Sequence, residues 1–365
     1  MDTHGEKTGI FAQKGLWIGI GIGLFILIGF ILPTPQSLVE VMEKYGYVER
    51  MIDWEIAHTA SEAGAKTMIV LGIVPMAVVF FAVEALPIGV TGILMPLMAY
   101  FFGLLPFNMI GKTFAGDAPL FMLGVFALGA TVVEVGFHKR MAVWLLGWTK
   151  GFWIPMVVLC TSMSIVGSFM SAPAMCSFMV PVLMAVYFGS VKANSPEKEV
   201  VHDPALAKYL LFSLCFALNM GGPGTPSAGG RNVIMMGFFT EYGIPITYSG
   251  WMKYGWPLVP LGSFLLMLYM ATLFSKKIKT RDLTAGLEYI KEETRKMGKM
   301  KYPEYITAAT LFLIVALWIF GGEATGLGGP ALLALVIPVL FRSVKFEQII
   351  ERISFNAWFM YCGAL

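Results

Sequence analysis

A break rich in glycine and proline interrupts one apolar segment of this chain. Apolar residues run over 206–218 and resume at Val233, and 219–232 between them reads Asn-Met-Gly-Gly-Pro-Gly-Thr-Pro-Ser-Ala-Gly-Gly-Arg-Asn. No α-helix continues through two prolines and five glycines in so short a stretch. Lipid cannot satisfy the backbone groups that the break frees, so this backbone must be buried in protein or line a wet cavity. The pattern is typical of the broken helices that hold ions and anionic solutes in transporters.

The polar residues of this break are of the kinds that bind an anion. Thr225, Ser227 and Asn232 carry hydrogen-bond donors, and Arg231 can offer two parallel hydrogen bonds to one carboxylate, sulfate or phosphate group. A helix that restarts near Asn232 adds backbone N–H groups and the positive end of its dipole. We therefore predict that these four residues bind a small anionic substrate. The alternative is that Arg231 pairs with a carboxylate or extends its side chain so that the guanidinium reaches a membrane interface.

A second irregular stretch supplies oxygen atoms that suit a hard cation. Residues 152–188 are apolar except for a small, polar tip within 162–173. Two half-helices that meet at this tip, a re-entrant hairpin, fit the length better than two full spans. We predict that Na⁺ binds where the tip and the break meet, and the predicted ion-binding residues are Ser164, Ser168, Ser171, Gly221 and Gly224. The alternative is that these serines and glycines only allow close helix packing.

The chain carries no pattern typical of an enzyme. It has neither a zinc-protease His-Glu-x-x-His motif nor a Gly-Lys-Ser/Thr phosphate loop, so this chain does not itself consume ATP. Its four cysteines lie in apolar segments without metal or redox spacing. We predict no catalytic residue, no metal centre and no cofactor, with Na⁺ as the candidate coupling ion.

Composition predicts an all-α polytopic membrane protein. Of the 365 residues 57% are hydrophobic and 13% charged, against about a quarter charged in soluble domains. The predicted partners are the lipid bilayer and a small anion, and no nucleic acid. The first apolar run is interpreted as a retained span rather than a cleaved signal. The predicted spans are 16–32, 67–85, 88–105, 118–137, 206–239 with the break, 253–275, 304–321, 327–341 and one that starts near Phe355.

Basic residues predict the orientation of these spans. Lys and Arg cluster in 276–301, whereas 33–66 and 106–117 carry few. The positive-inside rule then makes five segments cytoplasmic. They are the N-terminus, 138–150, 190–205, 276–303 and 342–352. If the hairpin enters and leaves on the cytoplasmic side, every intervening span alternates correctly.

Several stretches resemble one transporter family. Residues 84–96, Glu-Ala-Leu-Pro-Ile-Gly-Val-Thr-Gly-Ile-Leu-Met-Pro, resemble a signature of the divalent anion:sodium symporter family, the solute carrier 13 type within the ion transporter superfamily. Residues 221–234, Gly-Gly-Pro-Gly-Thr-Pro-Ser-Ala-Gly-Gly-Arg-Asn-Val-Ile, are similar to that family's glycine-rich loop. Residues 123–146 look like its fourth helix. The resemblance covers nearly the whole chain and corresponds to the N-terminal portion of family members.

The resemblance implies an inverted-repeat, elevator-type carrier, usually a homodimer in the inner membrane, that moves di- or tricarboxylates or sulfate with Na⁺ or exchanges them. The family's Ser-Asn-Thr motif, which helps to bind Na⁺ and substrate, falls on Ser171-Ala172-Pro173. Ser171 is therefore also a predicted substrate-binding residue, although the asparagine and threonine are absent. The family's Thr-Pro-Pro-Asn becomes Gly229-Gly-Arg-Asn232, which adds a cation. Our hypothesis is that Arg231 replaces a bound Na⁺ in balancing the anion.

The resemblance also sets the expected domains and the alternatives. The expected domains are N-terminal scaffold helices over 1–137, a cytoplasmic interfacial segment over 138–150, the first half of a transport domain over 151–275, a cytoplasmic linker over 276–303 and the start of a second repeat over 304–365. The second repeat is expected to be incomplete and the chain truncated. The alternatives are an anion exchanger, a relative of arsenite or Na⁺/H⁺ antiporters, and a membrane fragment or subunit that transports nothing.

Overall fold

The computed structural model describes residues 5–146, 148–169, 172–195, 201–244, 246–321 and 324–365. Within these residues the only regular structure is helical, which confirms the predicted all-α class. In chain order the helices are α1 (Gly5–Ile26), a π-helical turn (Leu27–Ile31), α2 (Gln36–Lys44), α3 (Tyr47–Asp53), α4 (Ala60–Ala82), α5 (Ile88–Phe101), α6 (Phe107–Phe114), α7 (Asp117–Val135), α8 (Phe137–Leu146), α9 (Trp153–Gly167), α10 (Ala172–Ala193), α11 (Pro204–Gly221), a 3-10 turn (Pro226–Ala228), α12 (Gly230–Glu241), α13 (Tyr248–Gly255), α14 (Leu258–Phe274), α15 (Thr284–Lys296), α16 (Tyr302–Phe320), α17 (Gly328–Leu340), α18 (Phe346–Arg352) and α19 (Phe355–Ala364).

Six helical segments of the described chain are long and apolar enough to cross a membrane. They are Gln13–Ile31, Ala60–Ala82, Phe107–Val135, Pro204–Gly221, Tyr248–Phe274 and Tyr302–Phe320. The chain is therefore a multi-pass membrane protein. Two predicted spans are shorter than expected. Helix α5 ends before 105 because Gly103 adopts a φ of +63°, and α17 ends before Arg342, whose φ is +53°.

The helices form two compact units. One contains the described residues up to Pro119 together with Ser354–Leu365, and the other contains Leu120–Ile353. In the first unit α5 and α19 cross with their backbones in contact, because Gly363 lies against the carbonyl group of Gly92 and has no side chain to hold them apart. The indole of Trp358 donates to the carbonyl of Pro119 over 2.8 Å.

In the second unit α9 and α10, called the hairpin below, cover the predicted re-entrant segment. Residues 170–171 between them lie outside the described residues, so the re-entrant path stays a prediction. Both helices pack on α11, and α14 contacts α9 and α11. Their shared core is built from large apolar side chains with almost no exposed surface, among them Leu159, Met163, Met179, Leu214 and Leu218. Without a hydrophobic driving force in lipid, such close packing is what holds helices together.

Two buried carboxylates fasten the polar segments of this unit. Asp203 caps α11 by accepting from the N–H of Leu206, and its second oxygen accepts from the N–H groups of Lys279 and Thr280 at 2.7 and 2.9 Å. Glu304 accepts from Arg140 at 2.5 Å, and the same guanidinium donates to the carbonyl of Gly298 at 2.8 Å. These contacts hold the segment between α14 and α16 against the helices.

Candidate functional site

The break lies between α11 and α12. Helix α11 ends at Gly221, a single 3-10 turn covers Pro226–Ala228, and α12 begins at Gly230. Gly229, which precedes α12, has an extended backbone. Because glycine has no side chain, the first N–H groups of α12 have no side-chain cap. The structure therefore confirms the predicted interruption and places the restart of the helix two residues before Asn232.

The end of α9 packs directly on the end of α11. The hydroxyl of Ser164 donates to the carbonyl of Ala217 over 2.8 Å, and the hydroxyl of Ser168 donates to the carbonyl of Gly221 over 3.0 Å. A Cβ atom at Gly224 would lie 2.5 Å from the Ser168 hydroxyl, so only glycine fits there. Of the five predicted ion-binding residues, the structure brings these two serines together with Gly221 and Gly224.

The contact leaves little space between these four residues. A Cβ atom at Gly221 would overlap the carbonyl oxygen of Ser164, and both serines are fully buried. This geometry supports the close-packing alternative at Ser164. The fifth predicted residue, Ser171, lies outside the described residues, so its roles in ion and substrate binding stay predictions.

A line of hydroxyl groups runs from the break to a buried tyrosine. Thr225 donates to the carbonyl of Ser168, the hydroxyls of Thr225 and Ser227 lie 2.9 Å apart, and those of Ser227 and Tyr248 lie 2.8 Å apart. A carbonyl cannot donate, so the Thr225 proton points to Ser168, the Ser227 proton points to Thr225 or Ser168, and Tyr248 donates to Ser227. Every hydroxyl proton in the line is thus already donated within the protein.

Side-chain donors satisfy the carbonyl groups that the break removes from helical bonding. The Asn232 amide donates to the carbonyls of Gly222 and Thr225 at 2.7 and 2.8 Å, and the Trp251 indole donates to the carbonyl of Pro223 at 2.9 Å. Asn232 therefore uses both amide protons inside the break. These bonds are the physical condition for irregular backbone at membrane depth.

Arg231 is the charged residue of the site. Its side chain is exposed and extends across the break, because a Cβ atom at Gly222 would lie 2.6 Å from Nη2 of Arg231. Among the residues that the structure describes, its guanidinium makes no hydrogen bond and no ion pair. The cation therefore lies beside the end of α11 and in the first turn of α12 with its donors available.

The structure brings Thr225, Ser227, Arg231 and Asn232 into one site with Ser168 of the hairpin. The arrangement differs from the expected one because Thr225, Ser227 and Asn232 donate to protein oxygens. The guanidinium of Arg231 and the start of α12 have no such side-chain partner among the described residues. Sequence reasoning missed Tyr248 and Trp251. Aromatic residues in apolar segments carry no local signal of such a role, since their partners lie 21 and 28 positions away.

A multi-pass helical protein in which a hairpin packs on a broken helix belongs to the class of membrane transport proteins. More specifically, this chain belongs to the citrate transporter family, whose model matches residues 78–365. The predicted resemblance to divalent anion:sodium symporters is confirmed.

Curated relatives agree with this assignment. The chain is 25% identical to sodium-dependent high-affinity dicarboxylate transporter 3 of Caenorhabditis elegans over 66% of this chain and 44% of the relative. It is 25% identical to the sodium-dependent dicarboxylate transporter SdcS of Staphylococcus saprophyticus over 70% of this chain and 49% of the relative. The corresponding protein of Staphylococcus aureus is 24% identical over 70% of this chain and 49% of the relative. The chain spans about half the length of the curated relatives it matches. All three are transporters, in agreement with the prediction that the chain is not an enzyme.

Proposed function

We propose that the chain acts in secondary active transport of small anions, namely di- or tricarboxylates, sulfate or a similar oxyanion. The observation that carries the proposal is Arg231, an exposed guanidinium without a partner among the described residues, at the start of a helix that follows an intramembrane break. A charge held there is costly unless it meets water or an anion. The relatives are dicarboxylate transporters and the family is one of citrate transporters, which supports the same substrate class.

In this proposal Arg231 and the first N–H groups of α12 bind one carboxylate of the substrate. Asn232, Thr225 and Ser227 fix the backbone that presents them, and Ser171 is proposed to add a contact from the hairpin tip. Na⁺ is the proposed coupling ion, because the relatives are described as sodium-dependent. Ser164, Ser168, Gly221 and Gly224 remain the proposed oxygen donors for it.

The test is uptake by liposomes that contain the purified protein. Radiolabelled succinate, citrate and sulfate are each supplied with and without an inward Na⁺ gradient. We expect uptake of at least one anion, and we expect Arg231→Gln to reduce it at least about 100-fold, since the charge-assisted hydrogen bonds to the substrate are lost. Lys208→Gln, on α11 of the same broken helix, removes the same charge away from the break and should leave uptake unchanged. Normal uptake by the Arg231 variant would sink the proposed site.

Exchange without Na⁺ is the second candidate. The observation that favours it is the satisfied state of the break, in which Ser168, Asn232 and Trp251 already donate to the carbonyl oxygens that a sodium ion would take. Arg231 then supplies the balancing charge itself. Counterflow of radiolabelled succinate into liposomes loaded with unlabelled succinate, at zero Na⁺, separates the two: exchange proceeds there, and Na⁺ symport does not.

Assembly and orientation complete the proposal. We propose a homodimer in the inner membrane with a cytoplasmic N-terminus, in which the hairpin and broken helix within 151–275 move relative to the helices of 1–137. The clustering of basic residues in 276–301 supports the orientation. The segments 138–150 and 276–303 are proposed as the cytoplasmic connections, and 304–365 as the start of the second repeat.

A further inference from the structure

Tyr248 is the donor end of the hydroxyl line in the break. Its side chain is buried, and its hydroxyl lies 2.8 Å from the Ser227 hydroxyl. Because the proton of Ser227 is committed to Thr225 or to the carbonyl of Ser168, Tyr248 is the donor that fixes the orientation of Ser227. The line joins three separate segments, the end of α9, the break and the start of α13.

The ring of Tyr248 is held by a second buried aromatic residue. It stacks on Trp318 of α16 with ring centroids 5.0 Å apart and an angle of 18° between the planes. Trp318 is itself fixed, because its indole donates to the carbonyl of Leu327 over 3.0 Å and its ring contacts Phe121 of α7 at 5.1 Å. Tyr248 therefore connects the break to α16 through one hydroxyl and one ring face.

We infer that Tyr248 is a positioning residue for the anion site, which acts through the Ser227 hydroxyl and joins the break to α16 by its stack on Trp318. The inference rests on the proposed function and deepens it. Tyr248 touches no ligand in this account. It sets the path of the backbone from Thr225 to Gly229, and that backbone leads directly into the turn that carries Arg231.

The stack also has a consequence for movement during transport. Tyr248 lies in the segment proposed to move with the hairpin, and Trp318 lies in the segment proposed to begin the second repeat. Because Trp318 also contacts Phe121 within 1–137, movement of 151–275 relative to 1–137 would separate the rings of Tyr248 and Trp318 once in each cycle. The hydroxyl of Tyr248 then acts on the affinity of the loaded site, and its ring stack acts on the rate at which the site changes sides.

The test compares Tyr248→Phe with Tyr254→Phe. Both remove one hydroxyl from α13, but Tyr254 is exposed and its hydroxyl makes no hydrogen bond to the described residues. We expect Tyr248→Phe to raise the KM for succinate or citrate uptake roughly three- to tenfold, the worth of one hydrogen bond, with the maximal rate within twofold. Tyr254→Phe should change neither. An unchanged KM in Tyr248→Phe, with a lower unfolding temperature as the sole effect, would reduce Tyr248 to a packing residue.

A double-mutant cycle identifies the path of the effect. If Tyr248 acts through Ser227, the Ser227→Ala variant and the Tyr248→Phe/Ser227→Ala double variant should have the same KM. Fully additive effects would exclude that path. A second pair of variants tests the stack. Trp318→Leu should change the maximal rate at least twofold in either direction, and Trp318→Phe, which keeps an aromatic ring, should have the original rate. An unchanged rate in Trp318→Leu would show that the stack has no part in transport.

Hydrogen–deuterium exchange separates this inference from the proposed function. The Tyr248→Phe protein should exchange the amides of 222–232 faster than the wild type, and Tyr254→Phe should not. If the wild type transports none of the three anions, the proposed function fails. The hydrogen–deuterium exchange of 222–232 still tests the positioning role of Tyr248. Equal exchange in all three proteins would overturn the positioning role.

Discussion

Asn232 shows how one side chain makes a break in a helix tolerable. Its amide group closes a loop by donating to the carbonyls of Gly222 and Thr225, which lie on the far side of the break. Both acceptors are buried, and a buried carbonyl without a donor costs about 1–3 kcal/mol. The amide is thus a structural requirement for the site and not a free ligand.

We expect Asn232→Ala to lower the free energy of unfolding by about 1–3 kcal/mol, because the buried carbonyl of Gly222 loses its donor and the carbonyl of Thr225 keeps only the N–H of Ala228. Asn219→Ala is the matched control, since the Asn219 amide donates to the carbonyl of Cys215 on an exposed face of α11. Thermal unfolding of the two variants in detergent measures the difference. Equal midpoints would mean that water or another group replaces the Asn232 amide.

For single residues, the sequence predicted which side chains lie at the break better than it predicted where their hydrogen bonds point. Thr225, Ser227 and Asn232 were recognisable because hydroxyl and amide groups are rare in an apolar segment. Their orientation depended on partners that no local pattern reveals, such as Ser168, which is 57 positions before Thr225. Tyr248 could not be found for the same reason.

The ends of helices α9 and α11 are in close backbone contact. Their ends approach so closely that the carbonyl oxygen of Ser164 and the backbone of Gly167 occupy the space beside Gly221. Backbone atoms cannot move individually, so a larger residue must separate the two helices. This contact determines how the hairpin tip meets the break.

We expect Gly221→Ala to destabilise the protein by about 1–3 kcal/mol, the usual cost of overpacking, and to reduce anion uptake. Gly329→Ala on α17 is the matched control, because no atom lies within 4 Å of the position its Cβ would take. That change should be neutral or stabilise by about 0.4–1 kcal/mol. Unfolding curves for both variants decide the matter, and an unaffected Gly221 variant would show that α9 and α11 can part freely.

Elements were predictable where the cause was local. Single prolines such as Pro75 and Pro181 lie inside helices of this protein, but a cluster of glycines and prolines ends a helix, so the break was visible in the sequence alone. The ends of α5 and α17 were not, because they depend on the positive φ of Gly103 and Arg342, and Arg342 is not a glycine. The crossing of α5 and α19 joins residues far apart in the chain and had no local signal.

For the whole molecule, the distribution of charge predicts a single orientation. Green fluorescent protein inserted within Thr284–Lys296 should fluoresce, and alkaline phosphatase inserted there should be inactive, because the positive-inside rule predicts that this basic segment is cytoplasmic. The same reporters inserted within Gln36–Lys44 should give the opposite pair of results. The reverse pattern at both positions would invert the topology and place the hairpin on the outer side.

The contact of α5 with α19 bears on the order in which the protein is made. Helix α5 emerges from the ribosome early, but the helix that covers its Gly92 face is encoded only after 120–353. At about 5–20 residues per second, that interval lasts on the order of ten seconds or longer. During biosynthesis the newly inserted α5 must therefore wait with this face against lipid or an insertion factor, and the first unit closes only after the second has been synthesised.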